Sequence, residues 1–210
     1  MSSSGLREQR VNISHTVSET WLLGPGLRSA LWVQGCCFCC EGCVAQSMRG
    51  PGGSWIAPAE LAAAMLEKDV EGVTISGGEP FLQAGPLAET VRLMKACRDV
   101  GVIVYTGFSL QELQKRANPE VNSFLMEIDL LIDGPYIANQ DDGLALRGSS
   151  NQNVYTLSPR YEQAVSLYHG GARKVEIRVE QDRILMVGVP SKAAINAWHQ
   201  LKRKAKGEQK

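Results

Sequence analysis

The stretch Gly35-Cys36-Cys37-Phe38-Cys39-Cys40-Glu41-Gly42-Cys43 places five of the chain's six cysteines within eight positions. Adjacent cysteines are poor disulfide partners, because a bridge needs a Cα separation and a Cβ orientation that neighbours rarely reach. Thiolates this crowded point to a metal site, since soft sulfur ligands select zinc or iron–sulfur clusters. The spacing Cys36-x3-Cys40-x2-Cys43 offers three thiolates in one tight loop, and Cys97 lies far along the chain. Three protein ligands suit a four-iron cluster with one iron left open, as catalytic metal sites keep a position free and structural sites close theirs. Cys36-x2-Cys39 and Cys37-x2-Cys40 are competing pairs in the same run. A closed zinc knob with four thiolates therefore stands as the alternative.

A second signal lies downstream. Val73-Thr74-Ile75-Ser76 is a β-branched, apolar run of the kind that forms a buried strand, and it ends in Gly77-Gly78-Glu79-Pro80. Two glycines let a backbone approach a ligand closely, and Pro80 stiffens the exit. A lone Gly-Gly-Glu-Pro turn carries little weight. The same turn at a strand end, downstream of three spaced cysteines and a helix, carries much more.

The remaining elements alternate as an α/β chain does. Ser29 to Gln34 reads as a first strand feeding the cysteine loop, and Pro58 opens a helix running to Glu67. Gly72 to Ser76 is the second strand. Pro86 opens a longer helix whose apolar face carries Leu87, Val91, Met94 and Cys97, which makes Cys97 a core thiol. Val102 to Thr106 is the third strand, Ser109-Leu110-Gln111-Glu112 a capping box, and Leu130 to Ile132 the fourth strand. Repeated strand–helix units imply right-handed crossovers and parallel strands, curved into a partial (β/α) barrel with helices outside. Functional loops then gather at the strands' carboxyl ends. Asn139 to Asn153 is polar and irregular, Tyr161 to Tyr168 helical. Val175 to Val179 and Ile184 to Val189 read as a small hairpin turning across Gln181-Asp182, and Ser191 caps a final helix ending in the basic run Lys202 to Lys206. We divide the chain into a core, residues 1–155, and a C-terminal extension, residues 156–210, packed on it.

Composition excludes several classes. With 22 basic and 22 acidic residues there is no general attraction to nucleic acid or to a membrane. No stretch approaches a transmembrane length, and Met1-Ser2-Ser3-Ser4-Gly5 lacks the apolar core of a signal peptide. Clustered free thiols fit a reduced, cytoplasmic setting. His15, His169 and His199 are scattered, and no phosphate-binding or Gly-x-Ser-x-Gly motif is present, so acid–base hydrolysis has no support.

Four passages together carry a likeness: Trp32-Val33-Gln34-Gly35-Cys36, Glu41-Gly42-Cys43, Ser76 to Pro80, and Asp133-Gly134-Pro135-Tyr136 with Arg147-Gly148-Ser149-Ser150-Asn151-Gln152. In these the chain resembles the radical S-adenosylmethionine enzymes and, more narrowly, is similar to the activating proteins of anaerobic ribonucleoside-triphosphate reductase and other small glycyl-radical activases. The likeness spans roughly residues 20 to 155. Cys37 and Cys39 depart from the family pattern. The resemblance implies that Cys36, Cys40 and Cys43 hold a [4Fe-4S] cluster. Gly42, Cys43, Val44, Gly77, Gly78, Glu79 and Thr106 would then position S-adenosylmethionine, and Asp133, Arg147 and Asn151 would belong to a partner-side or substrate-side loop. It further implies a 5′-deoxyadenosyl radical that takes hydrogen from a glycine of a partner, anaerobic ribonucleotide reductase being the first candidate. A flavodoxin or ferredoxin would donate the electron. A radical enzyme acting on a peptide or small molecule is the alternative in the same superfamily.

Overall fold

The computed structural model describes residues 10–144, 146–180 and 184–205. The expectations for Met1 to Gly5, for the turn at Gln181-Asp182 and for Lys206 lie outside the described residues. The architecture is α/β, centred on a seven-stranded sheet. Its parallel centre is β2 (Arg28–Val33), β4 (Gly72–Gly77), β5 (Gly101–Tyr105) and β6 (Leu130–Asp133). These are the four strands read from sequence, each shifted by no more than a residue or so at its ends. Three antiparallel strands flank them. β1 (Val11–Thr20) pairs with β2, β3 (Ser54–Ile56) lies outside β1, and β7 (Asn153–Thr156) closes the other edge on β6. The strand order β3-β1-β2-β4-β5-β6-β7 is that of an open sheet.

Helices α1 (Pro58–Met65), α2 (Ala84–Cys97), α3 (Leu110–Lys115) and α4 (Pro119–Leu125) follow the strands. Side chains on a strand alternate between faces, and the sheet sorts its residues accordingly. Leu31, Val33, Val73, Ile75, Val102, Val104 and Leu131 join Leu61, Met65, Leu87, Val91, Met94 and Phe124 in the main core. α2 begins two residues before Pro86, which falls within the first turn, where a missing N–H costs little. Ser109 makes the expected capping box with Glu112. Cys97 corrects the sequence reading: it is exposed, because the helix's buried stripe ends at Met94 and the helical pitch carries the last residue outside it.

The opposite face of the sheet is covered by residues that follow β7. Ile103, Leu130 and Ile132 pack with Tyr161 and Tyr168 from a 3-10 segment, Pro159–Tyr168, and Val17, Leu23 and Ala30 pack with Val187. Val187 lies in β9 (Ile184–Gly188), which pairs with β8 (Val175–Val179), and α5 (Lys192–Ala205) follows. The Ser191 hydroxyl accepts from the Ala194 amide at 3.2 Å, as a cap should. Beside Tyr161 lies Arg28, fully buried, ion-paired to Glu71 at 2.5 Å and donating to Thr74, to the carbonyls of Val73 and Gly101, and to the Tyr161 hydroxyl. A buried guanidinium persists only when its donors are this fully matched.

Candidate functional site

Four loops meet where the parallel strands end. β2 runs into the cysteine loop, whose neck is closed by backbone pairing: Gly35 N–H to Met48 O at 2.7 Å and Cys36 N–H to Arg49 O at 3.3 Å. Gln34, nearly buried, donates from Nε2 to Gly50 O at 2.9 Å. Gln83 donates from its own Nε2 to the carbonyls of Asn12 and Gln34. These two glutamines shape the loop; Gln34 stands in the Trp32–Cys36 passage, but neither was read as a site residue, since amide side chains give no periodic or spacing signal.

β4 exits beside that neck. Gly78 N–H donates to Val33 O and Glu79 N–H to Gly35 O, both at 2.8 Å. A Cβ at Gly78 would come 2.0 Å from Gly35 O, so glycine is required for one loop's backbone to lie on the other's. Glu79 is 1% exposed and its carboxylate accepts from Thr106 Oγ1 at 2.7 Å, Gly107 N at 2.7 Å and Phe81 N at 3.0 Å. Burial pushes its pKa above the usual carboxylate range, against the pull of those three donors. Glu79 thus ties the β4 and β5 loops together and caps the short 3-10 turn that begins at Pro80.

Cys36, Cys40 and Cys43 are half-buried and line one cleft with Gly77, Gly78, Glu79 and Thr106. Gly42 and Val44 line the same cleft. Cys37 and Cys39 are exposed, and Arg49 Nη2 sits 2.6 Å from the Cys39 sulfur. All six cysteines are free thiols. Burial raises the Cys36 and Cys43 pKa values, and the nearby Glu79 carboxylate raises Cys36 further. The Phe38 amide favours the Cys36 thiolate, and the Ala45 amide and the Arg49 charge favour that of Cys43, but burial outweighs them, so a bound cation would be the group that deprotonates these thiols. Among the described residues no three Cys, His, Asp or Glu side chains converge on a single metal ion. A cluster binds each thiolate at a different iron, which spreads its ligands wider than one ion does.

The third group predicted from sequence is placed differently. Asp133 is fully buried, and its carboxylate accepts from Leu110 N at 2.6 Å and from the backbone and side-chain nitrogens of Asn153. Asn151 Nδ2 donates to Pro135 O at 2.8 Å. Arg147 ion-pairs with Asp142 at 2.7 Å and only a small part of its side chain meets solvent. The polar run from Gly134 to Gln152 is cross-linked, not loosely solvated: Gln152 joins Gly134 O to the amides of Gly148 and Ser149, and the Ser149 hydroxyl accepts from Ile137 N. From this loop Tyr136 and Asp141 reach the cleft, and Arg173, ahead of β8, joins them. None of the three was read as a site residue, since nothing in sequence links position 141 to position 173.

A family model described as "4Fe-4S single cluster domain" matches residues 22–155. The anaerobic ribonucleoside-triphosphate reductase-activating protein of Haemophilus influenzae is 34% identical over 152 residues, covering 63% of this chain and 89% of that one. Its namesake from Vibrio cholerae is 33% identical over 142 residues, covering 63% and 89%. The one from Enterobacteria phage T4 is 28% identical over 140 residues, covering 63% and 86%. Among solved structures, QueE from Escherichia coli overlaps at a TM-score of 0.39 with 15% identity, over 50% of this chain and 57% of that one, too slight a likeness to carry weight. The matched span holds the cysteine loop, the Gly-Gly-Glu-Pro turn and the Gly134–Gln152 loop, and the chain belongs to the 4Fe-4S single cluster domain family and, within it, to the anaerobic ribonucleoside-triphosphate reductase-activating proteins.

Proposed function

We infer that this chain is a radical S-adenosylmethionine enzyme that activates anaerobic ribonucleoside-triphosphate reductase by taking a hydrogen atom from a glycine of that partner. The observation that carries this reading is the single cleft into which Cys36, Cys40, Cys43 and the Gly77–Glu79 turn all face. When bound, the reduced cluster and S-adenosylmethionine supply a one-electron cleavage of the sulfonium, giving methionine and a carbon radical strong enough to take hydrogen from a glycine Cα.

The chain's own residues would do the holding. Cys36, Cys40 and Cys43 would bind three irons and leave the fourth open. Gly42, Val44, Gly77 and Gly78 would bring backbone close to S-adenosylmethionine, with Glu79 and Thr106 below them. Glu79 suits an incoming ammonium, because a buried carboxylate with a raised pKa gains from a positive partner. The walls would exclude water from the reacting carbon. Asp133, Arg147 and Asn151 would shape the rim that the partner meets, Asp133 by anchoring the loop from beneath.

Several finer points belong to the same proposal. The sheet would be a partial (β/α) barrel, residues 1–155 the core, and residues 156–210 an extension packed on it, supported by the burial of Tyr161, Tyr168 and Val187 against the strands. A flavodoxin or ferredoxin would reduce the cluster. The six free thiols support a reducing, cytoplasmic setting. No helix among the described residues is long and apolar enough to cross a membrane.

Anaerobic reconstitution tests the reading. Iron and sulfide should bind in equal amounts, a strong reductant should release 5′-deoxyadenosine, and the reductase should acquire a glycyl radical visible by electron spin resonance. Colourless protein that takes up zinc alone would refute the cluster. Turnover on a peptide or small molecule with no reductase radical would move the chain to another branch of the superfamily.

A further inference from the structure

The cleft has a wall that lies outside the family match. Gly188, Val189, Pro190 and Ile195 face the same space as the cysteine loop, whereas the match ends at residue 155. One side chain fastens this wall to the rim across from it. Arg173, its side chain 2% exposed, ion-pairs with Asp141 at 2.9 Å. Its Nε donates to Leu144 O at 2.9 Å and its Nη1 to Pro190 O at 3.1 Å. Its Nη2 reaches Arg147 O at 2.8 Å and Gly148 O at 2.9 Å. Asp141 also accepts from Gly143 N at 3.0 Å and from the Tyr136 hydroxyl at 3.1 Å. A backbone bridge between Leu144 and Ala172 runs alongside.

Every nitrogen of Arg173 meets a protein acceptor, and of its five N–H donors only the second hydrogen on Nη1 is left over, so the guanidinium serves the protein first. What it does is join three stretches of chain: Asp141 to Gly148 on the rim, its own segment before β8, and Pro190 after β9. Only a planar fork with donors on three nitrogens can serve that many carbonyls at once, which lysine's point charge cannot.

We propose that the C-terminal extension supplies one wall of the S-adenosylmethionine cleft and that Arg173 is the positioning residue that locks this wall to the rim. The proposal rests on the reading of the cleft given above. A wall fixed before binding spares the ligand the entropy of ordering it, so loosening the lock weakens binding more than it slows the bond-breaking step.

Two measurements on Arg173→Met, Arg173→Lys and Asp141→Asn test it. Arg160→Ala serves as a control, because Arg160 ties the extension to Glu71 and Asp99 and takes no part in lining the cleft. In cluster-free protein, amide hydrogen exchange at Gly143, Leu144 and Gly148 should quicken in Arg173→Met and less so in Arg173→Lys, which keeps the ion pair. In reconstituted protein, Arg173→Met should raise the KM for S-adenosylmethionine about tenfold, the ordinary scale of coupling between separate parts of a protein, with kcat changed far less. Arg160→Ala should lower thermal stability and alter neither measurement. Unchanged exchange in Arg173→Met and Asp141→Asn would overturn the lock. Faster exchange with an unchanged KM would overturn the positioning role, as would an equal rise in KM for Arg160→Ala. Failure of the native protein itself to bind S-adenosylmethionine would refute the reading of the cleft, while the exchange result would still decide the lock.

Discussion

Gly78→Ala should damage both the fold and the cluster, although it adds a single methyl group. The new Cβ would stand 2.0 Å from Gly35 O, 2.7 Å from Gly35 C and 3.1 Å from Gly35 N. Non-bonded heavy atoms settle near 3.5 Å, so the two backbones must part by about 1.5 Å. Neither can swing aside freely, because Gly78 N–H is held by Val33 O and Glu79 N–H by Gly35 O. Parting them sacrifices the second bond and strands its carbonyl, about 1–2 kcal/mol, and overpacking adds about 1–2 kcal/mol more. The sum is a loss of about 2–4 kcal/mol. Gly35 precedes Cys36 directly, so the shift should also reduce iron uptake, beyond the weaker binding of S-adenosylmethionine that a bulkier Gly-Gly turn would cause. Urea unfolding of the cluster-free protein measures the first effect, and iron per chain after reconstitution the second. Gly50→Ala is the control: a Cβ there meets nothing within 4 Å, and stability should change by less than about 0.5 kcal/mol. Equal unfolding midpoints and equal iron content for Gly78→Ala and the native chain would refute the close-approach reasoning.

Further outcomes follow from the same geometry. Cys36→Ala, Cys40→Ala and Cys43→Ala should each abolish the four-iron signal, while Cys37→Ala and Cys39→Ala, at exposed positions, should keep it; visible absorption and iron analysis decide the register. Arg147→Ala should lower glycyl-radical formation on the reductase far more than partner-free release of 5′-deoxyadenosine, and equal losses would reassign Arg147 to the cofactor. Burial tends to raise the Asp141 pKa, but bonds from Gly143 N and Arg173 outweigh it and hold the carboxyl below its usual range. A depressed folded pKa contributes stability that is present above the unfolded value of about 3.9 and is lost as pH falls through the folded value. The stability gap between the native chain and Asp141→Asn should therefore be constant near neutrality and shrink below about pH 4; a gap that widens on acidification would contradict the sign.

The sequence by itself determined the parallel centre of the sheet and its chemistry. β-branched runs at 73–76 and 102–104 announce buried strands, and crowded cysteines announce a metal whatever surrounds them, because those signals are local. The tertiary structure alone decided what depends on partners distant in the chain. β1 alternates Val11, Ile13 and Val17 plainly enough to be read, yet His15 interrupts the pattern, and that residue is accommodated by stacking on Trp32 with ring centroids 4.5 Å apart. Cys97 looked like core because heptad-like spacing does not say where a buried stripe ends. Asp133 belongs to the family motif and yet turns inward to anchor α3, since a backbone N–H at Leu110 lies within reach only after folding. Glu79 ties the β4 loop to the β5 loop, and Arg173 joins Asp141 to Pro190, for the same reason. A side chain's role is set by the acceptors and donors that tertiary packing brings to it, and one sequence read along its length carries no record of those distances.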